Sequence, residues 1–194
     1  MPHGMNLIPV TLISRTAWAC CFEFDFPIYV SLSAPRFKVP EFTNSYESTA
    51  SLIGSISHSV NGSALAGGAG HIDRSHKIHF QYCEPKSKYA HGHYNKNHTL
   101  QILSHGLGVD SSYWDFSGEN YNYIVAADAA GYATLNDNWL GVGKSEHADP
   151  YIDVQLGTQI EILKRVTNLV LSGFLLKQIP VFGKIVHVDI AKAP

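Results

Sequence analysis

A chain of 194 residues, 45% hydrophobic and 15% charged, can bury one core and is short for two domains. Lys plus Arg total 14 against 16 Asp plus Glu, a net charge of -2, which leaves no basic surplus for nucleic acid or an anionic membrane. No apolar run approaches the roughly 20 residues of a membrane span, and 16 Gly, 10 Tyr and 11 His with few charges suit a packed, secreted-type domain.

Residues 1–21 read in two ways. Ala17-Trp18-Ala19 has the small-x-small form of a leader cleavage site, yet the apolar stretch at 6–13 is short and broken by Pro9, and only His3 precedes it. The other reading is an irregular N-terminus, with the folded domain over residues 22–194. Of the three cysteines, Cys20, Cys21 and Cys83, one pair can form a disulfide and one thiol is left over. A bridge across about 60 residues would stabilise by roughly 4 kcal/mol through loop entropy. Two N-glycosylation triplets begin at Asn61 and Asn97. With the cysteines they favour an extracellular location.

Ile28, Val30 and Leu32 alternate with polar neighbours and predict a strand over 27–33. Asn44 with Glu47 resembles a capping box and opens a short helix through Leu52, Ile53 and Ile56. The Gly, Ala and Ser residues of 59–70 predict a loop. Ile78, Phe80 and Tyr82 predict a second strand, followed by a polar surface connection over 84–97. Residues 99–104 read as a strand running into His105-Gly106-Leu107-Gly108. A helix over 123–130 is capped by Gly131, and a short strand follows over 132–135. The clearest helix spans 152–172, with Ile160, Leu163, Val166 or Thr167, and Val170 on its apolar face and Gly173 at its end. Residues 184–188 form the last strand. Early strands lie together and later ones alternate with helices, which predicts an α/β sheet, mixed and becoming parallel.

His105-Gly106 at a strand end can carry chemistry. A glycine lets the backbone approach a ligand closely, and an amide just beyond it can face a developing oxyanion. A plain strand-to-loop turn has the same residues. The wider context adds more. Ser104-His105-Gly106-Leu107-Gly108, Ser112-Tyr113-Trp114-Asp115-Phe116, the block 130–135 and Leu140-Gly141-Val142-Gly143-Lys144-Ser145 follow in order. Together they resemble the α/β-hydrolase family, in particular fungal-type secreted esterases and lipases. The resemblance covers most of 20–188. It implies an oxyanion hole from His105, Gly106 and Leu107, and a bridge from Cys20 or Cys21 to Cys83. It also implies a small apolar ester-like ligand near Trp114, Phe116 and Trp139, aromatic positions that core packing would also explain.

Two places depart from the family pattern. Asn138 and Trp139 stand where the family usually has an Asp-Arg pair, so an ion pair is absent. The nucleophile elbow should follow residue 188, but the chain reads Asp189-Ile190-Ala191-Lys192-Ala193. Ala191 takes the serine's place, and Asp189 and Ala193 replace the glycines. The acid and base of the family lie beyond residue 194, so the expectation is an incomplete α/β-hydrolase domain without a working triad. Ser104, Ser111, Ser112 and Ser145 read as turn or cap residues. The rival readings are a non-catalytic small-ligand or protein-binding module, and a truncated product whose exposed terminal strand edge promotes self-association.

Seven histidines, at 71, 76, 79, 91, 93, 98 and 105, together with Cys83 raise the idea of zinc. No Cys-x-x-Cys or His-Glu-x-x-His pattern accompanies them, so solvated loop histidines are expected instead, with no metal and no cofactor.

Overall fold

The computed structural model describes residues 19–37, 41–56, 66–85, 99–116, 121–175 and 177–190. Residues 1–18 of the segment 1–21 read as a leader or irregular N-terminus, the glycosylation triplets at Asn61 and Asn97, and His91, His93 and His98 lie outside them, as does Ala191, whereas residues 19–21 belong to the first strand.

Five strands make one sheet. β1 (Ala19–Phe37) and β2 (Ala66–Pro85) form a long antiparallel hairpin, β3 is Thr99–Ser104, β4 Ala133–Asp137 and β5 Lys184–Asp189. Their order is β1-β2-β4-β3-β5. β4 runs antiparallel to β2, whereas β3 is parallel to both of its neighbours, β4 and β5. The expected mixed sheet that becomes parallel is therefore present.

Alternation along each strand sorts the core into two layers. Phe24, Phe26, Ile28, Val30, Ile78, Phe80, Leu100, Ile102 and Leu135 face one way and pack with Ile162, Val166 and Val170 of α3 (Leu156–Leu171). Cys21, Cys83 and Leu103 face the other way and pack with Trp114 and with Ile124 of α2 (Tyr123–Ala129). The two crossover helices thus lie on opposite faces of the parallel strands. α1 (Ser45–Ile56) sits between β1 and β2 in the chain. It starts at the expected cap: Asn44 Oδ1 accepts from the Tyr46 and Glu47 amides, both at 3.0 Å, and Glu47 reaches back to the Thr43 amide. Gly131 closes α2 with φ 81°, as its position predicts.

Three expectations need correction. The loop over 59–70 is strand from Ala66 onward, because its small residues pair with β1, Gly70 opposite Ala34 and Ala69 opposite Pro35. The polar connection likewise begins after Pro85, since Glu84 and Pro85 still pair with Cys20 and Ala19. The long helix starts at Leu156 rather than at 152, because Asp149 Oδ1 holds the Tyr151 and Ile152 amides in a turn. Its buried stripe is consequently Thr158, Ile162, Val166 and Val170, and Ile160 is exposed.

The register places Cys21 opposite Cys83, and these two form the disulfide. Cys20 falls across from Glu84 instead.

Candidate functional site

The parallel strands β4-β3-β5 set the site. The chain leaves β3 through α2 on one face of the sheet and leaves β4 through α3 on the other. Such a reversal opens a crevice beyond the carboxyl end of the central strand. The residues there are His105, Gly106 and Leu107.

His105 is buried and both of its ring nitrogens are engaged. The Trp139 amide donates to Nε2 at 3.0 Å, and Nδ1 lies 3.0 Å from the Gly106 carbonyl. An amide donor at Nε2 requires that nitrogen to be bare, so the proton sits on Nδ1 and is donated to Gly106. The ring also stacks against Trp139, with centroids 5.0 Å apart. Burial holds its pKa below the usual histidine value. His105 is therefore a neutral clasp that ties the end of β3 to the segment after β4, with no nitrogen left to act as a base.

A Cβ on Gly106 would meet Ile190 at 3.6 Å, an ordinary contact, whereas Gly108 has φ 86°, which side chains resist. The Leu107 side chain points to solvent, 86% exposed.

The Asn138-Trp139 departure is compensated. Asn138 is buried and works as a hub: Oδ1 accepts from the Ser111 amide at 2.9 Å, and its own amide donates to the His79 carbonyl at 3.0 Å. Its carbonyl accepts from Ser145 Oγ at 2.6 Å. Ser145 Oγ in turn accepts from the His79 amide, so this serine is structural, and Ser112 donates to Asp110, as expected of a cap. Neutral hydrogen bonds thus join the turn at Ser111, the 138–145 segment and strand β2.

The proposed aromatic site divides. Trp114 is buried beside α2, and with Tyr113, Phe116, Tyr121 and Tyr123 it lines a cavity of about 600 Å³. Trp139 is not part of that cavity and belongs to the His105 clasp. A second cavity of about 540 Å³ is lined by Gly108, Val109, Asp110, Ser112, Tyr113, Phe116 and Val142. His105, Gly106 and Leu107 do not line it.

Two features escaped the sequence. Asp137, the last residue of β4, is buried with Oδ1 unpartnered among the described residues. Burial, aided by the nearby charge of Asp189, pushes its pKa up to about 7. It follows Thr134 and Asn136 in the same short strand, so nothing in the sequence marked it out. The second is a polar cavity of about 230 Å³ between the 110–115 and 138–144 loops, which contains Glu23, His79, Asp110, Asp115 and Lys144. These residues come from four separated segments.

Among the described residues, the other histidines of the zinc reading have partners, with His71 Nε2 3.5 Å from Ser31 Oγ. His76 Nδ1 is 3.3 Å from Glu146, and His79 lies between Asp25 at 2.7 Å and Glu23 at 3.4 Å. Cys83 is held in the disulfide and is closed to zinc.

No family model matches the chain, and no curated protein does. Among solved structures it is similar to a mutant epoxide hydrolase of Vigna radiata, at 17% identity and TM-score 0.38, over 59% of this chain and 28% of that one. Est1E of Butyrivibrio proteoclasticus with ferulic acid bound gives 19% and 0.39, over 59% and 39%. The S-formylglutathione hydrolase of Staphylococcus aureus gives 11% and 0.36, over 84% and 47%. The chain spans less than half the length of each. The strand order, the change from antiparallel to parallel and the helices on opposite faces define an α/β fold with a mixed sheet that becomes parallel.

Proposed function

We propose that this chain is an ester-hydrolase-type α/β protein that binds a small apolar ester-like ligand beyond β3 and does not turn it over. The observation that carries this reading is the His105 clasp. It fixes the Gly106-Leu107-Gly108 turn where an oxyanion pocket would lie, beside the 540 Å³ cavity that starts at Gly108. The Leu107 and Gly108 amides are the donors for a carbonyl oxygen, and removal of one such donor costs a working enzyme about 100- to 1000-fold in rate. Polarisation alone breaks no bond. Ala191 supplies no hydroxyl, Ser145 is bound within the loop hub, and both ring nitrogens of His105 are already engaged.

Purified protein should raise its melting temperature with short p-nitrophenyl esters while releasing p-nitrophenol no faster than buffer. Release well above that background refutes the inactive reading. An unchanged melting temperature across a panel of esters refutes the binding reading.

The fungal-type secreted affiliation belongs to the same proposal, with the Cys21–Cys83 bridge in support. So does self-association. β5 pairs with β3 along one edge, and no described strand covers the other. Light scattering should show mass rising with concentration; a constant monomer mass refutes the pairing.

A further inference from the structure

The three cavities around the 108–116 loop adjoin one another through shared lining residues. The polar one shares Asp110 and Ser112 with the 540 Å³ cavity, which shares Tyr113 and Phe116 with the 600 Å³ one. The adjoining cavities therefore have a charged end and an apolar end. At the apolar end Phe116 is 63% and Tyr121 82% exposed, a local concentration of aromatic surface that marks an interaction site.

The charged end is unbalanced. It holds three carboxylates, Glu23, Asp110 and Asp115, against one lysine, with His79 already set between Asp25 and Glu23. Lys144 is taken by Glu23 at 2.6 Å. Asp110 and Asp115 have no cationic partner among the described residues. Asp110 Oδ1 accepts from the Ser112 amide and hydroxyl, and Asp115 Oδ1 accepts from Asn122 at 2.7 Å. Both carboxylates are thus held in place, each with a second oxygen outside those bonds. The Ser112 bonds keep the Asp110 carboxyl below its usual pKa, so it is charged at neutral pH.

We propose that the adjoining cavities bind an amphiphilic small molecule, its aromatic or alkyl end on Tyr113 and Phe116 and its protonated amine against Asp110 and Asp115. Charge complementarity selects this occupant: a carboxylate at the same end meets two like charges, and a neutral polar head gains neither attraction nor repulsion. The inference rests on the ligand-binding reading above and adds the class of ligand.

Three probes of one shape test it on the full chain: 4-phenylbutylamine, 4-phenylbutanol and 4-phenylbutyrate, titrated by calorimetry at neutral pH. The amine should bind about tenfold tighter than the carboxylate, with the alcohol between, and the gap should narrow at high salt. The double variant Asp110→Asn and Asp115→Asn keeps both Oδ1 acceptors, and its fold is checked by circular dichroism. It should abolish the amine preference while leaving the alcohol unchanged, whereas Phe116→Ala should weaken all three. If the alcohol or carboxylate binds as tightly as the amine, or the double variant keeps the preference, the proposal is overturned and the ligand-binding reading stands. If none of the three binds, this proposal falls, and the ester panel alone decides the ligand-binding reading.

Discussion

Replacing Asp137 by Asn tests whether its carboxyl is as buried as the structure shows. The carboxyl is buried, one oxygen lacks a partner among the described residues, and its pKa rises from 3.8 to about 7. Below pH 4 the acid is protonated in the folded and unfolded chain alike, so it costs no ionisation energy. As pH climbs, the unfolded chain releases this proton near 4 while the folded chain keeps it to about 7. Stability is therefore lost across that window and is level above it. Roughly three pH units at 1.36 kcal/mol each give about 4 kcal/mol. An asparagine has the same shape and no charge to release. Urea unfolding of both proteins from pH 4 to 8 isolates the effect, because every other carboxylate cancels in the difference. The Asp137→Asn variant should match the parent near pH 4 and exceed it by about 4 kcal/mol at about pH 7.5. A difference that stays flat across that range, or moves the other way, refutes the burial reasoning.

His105→Phe keeps a ring against Trp139 but removes the acceptor of its amide, and should cost about 1–3 kcal/mol in chemical unfolding. His105 also predicts a pH effect of opposite sign. Its folded pKa is depressed, so the unfolded chain takes up the proton first and stability falls as pH drops below about 6.5, an effect the Phe variant should lack. Reducing Cys21–Cys83, or replacing both by Ser, should lower stability by roughly 4 kcal/mol for a separation of 62 residues, read as a lower urea midpoint. Gly143→Ala should be clearly destabilising by calorimetry, because φ is 57° and the new Cβ would sit 2.7 Å from the Asn138 side chain, whereas Gly106→Ala should be mild.

Strand β3 was readable to the residue because Leu100, Ile102 and Leu103 are fully buried and flanked by polar segments. Gly131 and the Asn44 cap were equally plain, since a helix end depends on the few residues around it. The extension of β2 through Gly68 and Gly70 was hidden. Small residues carry no strand periodicity, and only the β1 ladder holds them extended. The start of α3 was misplaced because Asp149 captures amides that an uninterrupted apolar pattern would assign to helix. At the site, the importance of His105 was visible, but its role as a clasp needed Trp139 brought to it from 34 residues away.

Local pattern by itself therefore determined the α/β class, most strands and helix ends, and the turn after β3. Each of these depends on residues adjacent in the chain, where the periods of helix and strand act directly. Only tertiary structure decided that Cys21 rather than Cys20 meets Cys83, that Asp137 is kept from water, and that Glu23, Asp110, Asp115 and Lys144 line one cavity. Those properties belong to contacts across space, set by strand register and by which loops meet at the sheet's end.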